Sequence, residues 1–440
     1  MSSNKQNTGL GNGSQRFRIK PSNSPSNGVF GHQGNPVLTF EMPNSNLLLD
    51  PSSVRLVGKF RLKSGTWDSE IGDQLRFDQY LGVNSVFENL TWSSKMSRLV
   101  IEKINNYPKL INSIRPALSS SENFQSNLMC QDIATQNLDF QPLEFNSQLD
   151  SGIDFSTMIY TGLTMASGSR LPLMKLGGLM LSVDLAPNEA VLTRVTSSGN
   201  EQDQSPQYEL FDLSLTGEYY VPTPEQASML VDMKEGTLEM NSFTSLFSIL
   251  QSSSHNSVFN LGLRELISCF FSFVPAGYIN NYNYNQYQNM RITETNQSNQ
   301  IVKMNFLKNG SQNPFMFDLD IIASSNENQL QKYYLMSLKK LKELTKTSIG
   351  SDINDPRISI GSSSFLQTSE NQINVLNKEN ITYGIPYDLL GDLTGSDFSN
   401  QPLTIQIDSN LSDSTPNAVY LFTLSKTTIV YNEDSIRIIN

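Results

Sequence analysis

Apolar and polar residues alternate along much of this chain with the period of two that is typical of β-strands. Over residues 54–62 every second position is apolar or glycine, and the positions between them include Arg55, Lys59 and Arg61. Residues 211–221 repeat the pattern and end at Pro222, which cannot donate a ladder hydrogen bond. Such alternation predicts strands with one buried face. Further strands are predicted at 87–92, 99–104, 158–163, 176–185, 300–306, 315–322, 403–407, 419–431 and 436–439.

Residues 266–274 are apolar almost throughout, and they predict a strand that is buried on both faces. Helices are few. Leucines and tyrosines spaced three or four residues apart predict a helix over 328–345, and its lysines are more typical of a solvated helix face than of a binding patch. Shorter helices are predicted at 107–114 and 224–233, each with a proline early in its first turn.

The order of these elements predicts an all-β protein with two domains. Many strands without an alternating β-α-β order indicate sandwiches or barrels. The 440 residues allow two to four domains of roughly 100–200 residues each. Pro222 and Pro224 follow one set of strands and a new set begins near Leu238, so we place the division at about residues 220–237.

Neutral polar residues, rather than charged ones, make the sequence hydrophilic. Charged residues amount to 17%, against a usual ~25%, whereas the chain contains 59 serines and 44 asparagines. The 23 phenylalanines and 16 tyrosines suffice for a large core, which argues against charge-driven disorder. Serine and asparagine favour turns and caps, which argues against a long helical bundle. We expect no membrane span and no secretory signal, since neither a long apolar run nor an apolar segment near the start occurs.

The net charge of −11 is unevenly distributed. Residues 1–36 carry Lys5, Arg16, Arg18 and Lys20 and no acidic residue, so the remainder carries −15. This segment is rich in serine, asparagine, glycine and proline, and we expect a flexible basic arm. Two interpretations stay open: the arm contacts nucleic acid, a membrane surface or an acidic neighbour, or it packs on its own domain.

The residue types of a catalytic or metal-binding site are nearly absent. His32 and His255 have no carboxylate or cysteine at ligand spacing, and no phosphate-binding glycine loop or nucleophile elbow occurs. Asp318 and Asp320 are expected on a solvated strand face rather than in a glycosidase pair. We therefore predict no enzymatic activity, no cofactor, no metal and no small-molecule substrate. Four further residues are expected to serve packing: Cys130, Cys269, Trp67 and Trp92.

A tyrosine- and asparagine-rich stretch follows the apolar run. Tyr278, Tyr282, Tyr284 and Tyr287 are interleaved with amide side chains. Tyrosine and asparagine provide contact area and adaptable hydrogen bonds at low entropic cost. The stretch is either a subunit-contact or receptor-facing loop, or a polar loop that packs on its own strands.

Several stretches of the sequence resemble the double jelly-roll major capsid proteins of small eukaryotic DNA viruses, the group that contains virophages and polinton-like viruses. The resemblance spans nearly all of the chain beyond the arm. The stretches are 37–43 (VLTFEMP), 47–62 (LLLDPSSVRLVGKFRL), 84–91 (NSVFENLT), 99–107 (LVIEKINNY), 171–186 (LPLMKLGGLMLSVDLA) and 259–275.

The resemblance implies two tandem jelly-roll β-sandwiches with a few short helices in connecting segments. The first would cover 37–224 and the second 225–440, after the arm at 1–36. It further implies a structural protein of the virion, assembled in the host cytoplasm or nucleus, whose homotrimers have a pseudo-hexagonal outline and tile an icosahedral shell. Its partners would be other capsomers, penton proteins, and minor capsid or cement proteins. Contact of the arm with an inner membrane or the genome is left open.

The competing interpretation is a carbohydrate- or receptor-binding β-sandwich, such as a fibre or lectin-like module. Such a protein predicts a sugar pocket built around exposed aromatic residues.

Overall fold

The computed structural model describes residues 13–63, 74–76, 81–118, 152–165, 170–195, 205–250, 256–287, 301–312, 318–320, 333–334, 336–341, 343, 382–387, 396–409, 417–432 and 436–439. None of the helices in these parts of the chain combines the length and the apolar character needed to span a bilayer.

Eleven strands lie in the described part of the chain before residue 221, which we call the first half, and ten lie after residue 235, in the second half. The first-half strands are β1 (Ser14–Ile19), β2 (Val37–Met42), β3 (Leu48–Leu62), β4 (Gln74–Arg76), β5 (Phe87–Ser94), β6 (Val100–Ile104), β7 (Ile153–Met158), β8 (Leu171–Pro172), β9 (Leu179–Leu185), β10 (Thr193–Val195) and β11 (Tyr208–Tyr220). The second-half strands are β12 (Gly236–Leu250), β13 (Asn256–Phe259), β14 (Leu266–Pro275), β15 (Ile301–Lys308), β16 (Ser311–Gln312), β17 (Asp318–Asp320), β18 (Tyr383–Pro386), β19 (Leu403–Ser409), β20 (Asn417–Tyr431) and β21 (Ile436–Ile439).

The helices are short. They are α1 (Tyr107–Leu118), α2 (Gly162–Met165), α3 (Asn188–Val191), α4 (Pro224–Asp232) and α5, whose described helical residues lie between 333 and 343. Two 3₁₀ turns cover Gly82–Val86 and Ala276–Tyr278. The helices predicted at 107–114 and 224–233 are confirmed. At the second, the hydroxyl of Thr223 accepts a hydrogen bond from the Gln226 backbone, and the Gln226 side chain accepts one from the Thr223 backbone, a capping box that starts α4.

Each half contains two larger antiparallel sheets. In the first half the strand orders are β1-β11-β3-β7, with β8 also on β3, and β2-β9-β5-β6; β4 and β10 form a separate ribbon. In the second half the orders are β12-β20-β14-β18, with β21 also on β20, and β13-β19-β15-β16, with β17 also on β15. No sheet in the described parts mixes strands of the two halves, so no ladder of strand hydrogen bonds joins the halves there.

The predicted strands are found where the structure describes them, with one exception at 158–163; of the strand predicted at 315–322 only residues 318–320 are described. The strand there, β7, ends at Met158, and residues 162–165 form α2 instead. Local hydrogen bonds account for part of the difference, and the N–H bonds from Gly162 and Leu163 to the distant Glu102 carboxylate account for the rest. The Thr161 backbone donates to the Thr164 hydroxyl over 2.8 Å, and the Thr164 hydroxyl donates to the carbonyls of Ile159 and Thr161. Side chains that bond their own backbone in this way compete with a strand ladder.

The predicted flexible arm also needs correction at Ser14–Ile19, which form β1 and pair with β11 from Ser14↔Tyr220 to Ile19↔Leu215. The ring of Phe17 stacks on that of Tyr219 at a centroid distance of 4.2 Å. Phe17 and Ile19 alternate with arginines, so this segment carries a short period-two pattern within its polar surroundings.

Two clusters of buried residues form the core, and β14 and β20 belong to both. Phe270 and Val274 pack into a large cluster that contains residues of both halves, whereas Phe271 and Phe273 pack into a smaller cluster of the second half alone. The predicted strand with two buried faces is therefore confirmed. One face closes the second half's own sandwich, and the other faces the first half.

Candidate assembly interfaces

The contact between the two halves, which we call the seam, is built from α1 and its neighbours on one side and from β12, β14, β20 and α5 on the other. Polar groups along it are paired across the two halves. The Asn112 amide donates to the Tyr287 carbonyl over 2.8 Å, and the Tyr334 hydroxyl donates to the Ser113 carbonyl over 2.5 Å. The Asn105 backbone donates to the hydroxyl of Ser245 over 2.7 Å. Buried polar groups that are paired in this way fix one relative arrangement of the packed surfaces.

Glu102 lies at the centre of this pairing. Its carboxylate, fully buried, accepts backbone N–H bonds from Gly162 at 2.9 Å, Leu163 at 3.0 Å and Phe243 at 2.8 Å. The first two donors belong to the first half and the third to β12. Burial raises the pKa of the Glu102 carboxyl, and the three N–H donors oppose that rise. The carboxylate thus connects β6, α2 and β12.

A bulge in β6 places Glu102 at this position. The register shifts between Trp92 and Ser93, so that Trp92 pairs with Glu102 and Ser93 pairs with Val100. Ile101 and Glu102 are consequently both buried. The backbones of α2 and β12 also approach closely, because a Cβ at Gly162 would lie 2.1 Å from the Asn241 carbonyl oxygen. Only glycine fits at that contact.

The tyrosine-rich stretch contributes to the seam. Tyr287 is 2% exposed and its hydroxyl donates to the Ser85 carbonyl over 3.0 Å. The Tyr282 hydroxyl donates to the Pro206 carbonyl, also over 3.0 Å, while Tyr278 stacks on Tyr284 at 3.9 Å. Tyr287 was predicted as a candidate interaction residue, and this is wrong for contacts outside the chain, because its side chain is buried against the first half. Tyr284 is exposed.

A second group of ionisable residues lies beside the seam. The Glu88 carboxylate has one oxygen, Oε2, that is buried and has no hydrogen-bond partner. Burial, followed by repulsion from Asp184, raises the pKa of Glu88 to about 7, and Lys109 opposes the shift. Lys109 is 2% exposed, and its ammonium lies 5.4 Å from the centroid of the Tyr420 ring in the second half. Glu88 also raises the pKa of Tyr420, after the larger effect of burial.

The predicted basic residues occupy the outer face of the β1-β11-β3-β7 sheet. Arg16 pairs with Glu218 at 3.4 Å, and the Arg18 guanidinium donates to the Ser214 hydroxyl over 2.9 Å. Lys20 follows β1 and is exposed. Arg55 of β3, which was not among the predicted interaction residues, donates to the Ser156 hydroxyl over 3.3 Å. Lys5 lies outside the described residues.

The other singled-out residues serve packing where they are described. Trp92 is buried and its indole N–H donates to the Thr161 hydroxyl over 3.1 Å. Burial raises the pKa of the Cys269 thiol, which lies in the second half's core. A ring nitrogen of His32 lies 3.2 Å from the Leu185 carbonyl. Within the described residues no cluster of three or more histidine, cysteine, aspartate or glutamate side chains is placed to hold a metal ion. Cys130, His255 and Trp67 lie outside these residues.

Comparison of the sequence with models of protein families gives no match, and no curated protein matches it either. Solved structures do match over nearly the whole chain. The PBCV-1 virus capsid model matches with a TM-score of 0.60 and 10% identity over 99% of both chains. The Sputnik virophage structure gives a TM-score of 0.56 and 11% identity over 100% of this chain and 91% of that one. The Faustovirus major capsid protein gives a TM-score of 0.58 and 8% identity over 98% of this chain and 92% of that one.

The chain has the double jelly-roll fold. The all-β architecture with two tandem jelly rolls, which the resemblance implied, is thereby confirmed. At 8–11% identity the comparison concerns the fold alone.

Two buried carboxyl groups, Glu102 in the seam and Glu88 beside it, were not predicted from the sequence. Their one signal is an acidic residue within an otherwise apolar stretch, as in residues 99–104. That signal does not show which distant backbone N–H groups donate hydrogen bonds to the carboxylate.

Proposed function

We propose that this chain is the major capsid protein of an icosahedral DNA virus, and that three copies form a capsomer with a pseudo-hexagonal outline. The observation that carries this proposal is the match to capsid structures along the full length of the chain, with TM-scores of 0.56–0.60. A match that includes both jelly rolls and at least 91% of each solved chain leaves little room for an added catalytic domain in either. The virion is the proposed location.

The seam supports the proposal physically. A shell subunit must transmit contacts from one edge to the other without hinging, and a large shared core with paired buried polar groups resists hinging. Domains with only small, polar contacts are expected to move relative to each other. Here a single buried cluster runs through both halves.

Several finer points belong to the same proposal. We place the two jelly rolls at 37–224 and 225–440, with the segment 1–36, including Lys5, before them; within it Ser14–Ile19 pair with β11 of the first jelly roll. We propose further contacts with neighbouring capsomers and with penton and minor capsid or cement proteins, and no enzymatic activity. Arg16, Arg18, Lys20, Tyr278, Tyr282 and Tyr284 stay candidate interaction residues, Tyr282 with its hydroxyl already bonded inside the chain.

Light scattering coupled to size-exclusion chromatography tests the proposal on the purified full chain. We expect a particle of three times the 49.2 kDa chain mass, and electron micrographs of that fraction should show pseudo-hexagonal outlines. A stable single chain that binds glycans on an array would instead favour the carbohydrate- or receptor-binding β-sandwich and overturn the capsid assignment.

A further inference from the structure

Three cations on the outer face of the first jelly roll have no carboxylate partner among the residues that the structure describes. Arg18 and Arg55 both pair in register with Thr216, so they flank the same residue of β11 in one row across three strands. With strands about 4.8 Å apart, their Cα atoms lie roughly 10 Å from each other. Each guanidinium is hydrogen-bonded to a serine hydroxyl, and Lys20 extends the group beyond the end of β1. Among the described residues, no carboxylate oxygen lies within the 4.0 Å of an ion pair from any of the three.

A cavity of about 340 Å³ opens beside these cations. Arg18, Lys20 and Lys59 stand at its wall, and Phe155 and Leu213 give it an apolar floor. A bulge in β11 creates the depression: the pairing skips from Phe211↔Lys59 to Ser214↔Val57. The site thus offers positive charge around an apolar surface.

Helix α4 has the complementary character, and none of the described parts of the chain buries it. None of its nine residues is buried, and Met229 and Val231 are 70% and 57% exposed. Acidic residues accompany these apolar side chains, with Glu225 in the first turn, Asp232 in the last and Glu235 after the helix. An isolated helix of nine residues is marginal in water, since most helical stability in proteins comes from packing of an apolar face.

We propose that α4 of one copy of this chain docks against the cavity and the Arg18/Lys20/Arg55 cluster of a second copy. The carboxylates of Glu225 and Asp232 would face the cations, and Met229, which lies on the same face of α4, would cover the apolar floor. This inference rests on the proposed function, because it supplies a contact between capsid subunits.

The occupant must come from another copy. In its own chain α4 follows the end of β11 at Tyr220, whereas the cavity adjoins Ser214 near the other end of the paired segment. Six strand residues separate the two places by about 20 Å. The contact is therefore head-to-tail, and such an interface closes into a ring when the rotation between copies permits.

A protein surface fits this site better than nucleic acid. Carboxylates stand among the cations on the same face: Asp154 pairs with Lys59 at 3.9 Å and Glu209 with Arg61 at 2.7 Å. Asp212 also lines the cavity. The continuous negative charge of a polyphosphate chain would be repelled by these carboxylates. An acidic helix with an apolar face instead places single carboxylates against single cations.

Charge reversal tests the docking on the full-length chain by light scattering. Arg18→Glu with Arg55→Glu should run at the mass of one chain at a concentration where the wild type forms its multimer, and so should Glu225→Arg with Asp232→Arg. The variant that carries all four substitutions has both charges reversed and should regain the wild-type multimer. The matched control, Lys339→Glu with Arg437→Glu, reverses two exposed cations elsewhere and should assemble as the wild type does.

Circular dichroism establishes that each variant is folded before its mass is interpreted, and Arg18→Gln with Arg55→Gln serves as a milder variant, with at least tenfold weaker assembly expected. Failure of the fourfold variant to recover, with both parents folded, overturns the docking. Unchanged assembly of both double variants overturns it as well and leaves α4 to another occupant, such as residues 1–12 or a lipid surface, while the capsid assignment stands. A wild type that runs as one chain at every concentration contradicts both.

Discussion

One buried carboxylate, that of Glu102, accepts hydrogen bonds from both halves of the chain. In Glu102→Gln an amide NH₂ replaces one oxygen and faces a backbone N–H, so a buried donor loses its acceptor. A buried donor left in this state costs about 1–3 kcal/mol, and the lost charge-assisted bonds add to that. We expect the free energy of unfolding, measured by guanidinium titration, to fall by about 3 kcal/mol.

Glu239→Gln is the matched control, because Glu239 lies on β12 and its carboxylate is exposed in an ion pair with Lys426 at 3.2 Å. Removing an exposed pair should cost less than about 1 kcal/mol. Equal losses in the two variants would contradict a role for Glu102 in joining the halves.

The Glu88 carboxyl makes stability depend on pH in the direction opposite to a salt-bridged carboxylate. Its pKa is raised to about 7 in the folded chain, against about 4.5 when exposed. Between these values the folded state holds a proton that the unfolded state has lost, so stability falls as pH rises through this window and is level above it. Asp184 and Lys109 face the carboxyl, as do the tyrosines at 208, 287 and 420, whose pKa values are raised by burial and, to a smaller extent, by Glu88.

Glu88→Gln should therefore flatten the decline in unfolding free energy between about pH 5 and 7, and it should be more stable than the wild type at pH 8 by up to about 3 kcal/mol. Chemical denaturation at several pH values measures both effects. Glu343→Gln, at an exposed carboxylate, should leave the wild-type profile unchanged. A Glu88→Gln variant with the same slope as the wild type would show that another group is responsible.

At the scale of elements, the pattern of apolar and polar residues predicted those strands and helices whose conformation depends on neighbouring residues. β3 and β11 alternate because one face is buried, and β14 is continuously apolar because both faces are. The proline in its first turn, Pro224, indicated the start of α4 in the same way. Such features depend on neighbouring residues, and the sequence contains them.

Elements whose state depends on distant partners were less predictable. β1 is polar on its outer face and short, and it is a strand because β11 offers it an edge. The 158–163 stretch is apolar like a strand, yet its backbone turns at Gly162. There the Gly162 N–H donates to the Glu102 carboxylate, and the Gly162 backbone lies close to that of β12. The same limit applied to the site, since no local pattern shows that Tyr287 would reach Ser85 or that Arg55 would join Arg18.

At the scale of the whole molecule, the shared core couples the stability of the two jelly rolls. Phe271 lies in the second half's own cluster, and Trp92 lies in the first half. If the halves unfold as one unit, Phe271→Ala lowers the transition that Trp92 fluorescence reports, although the two side chains belong to different sandwiches. Removing a buried phenylalanine ring costs about 3–5 kcal/mol, which is enough to displace the midpoint clearly.

The measurement uses a Trp67→Phe background, so that Trp92 is the one tryptophan, and a fixed protein concentration, because association adds stability to the folded state. Phe270→Ala, which removes a ring from the shared cluster instead, is the comparison variant. We expect both variants to shift the Trp92 midpoint, with Phe270→Ala also weakening the seam itself. A Trp92 transition that stays in place in Phe271→Ala, while circular dichroism shows the second half melting early, would mean that the jelly rolls unfold independently. The seam would then be a contact between two separately stable domains.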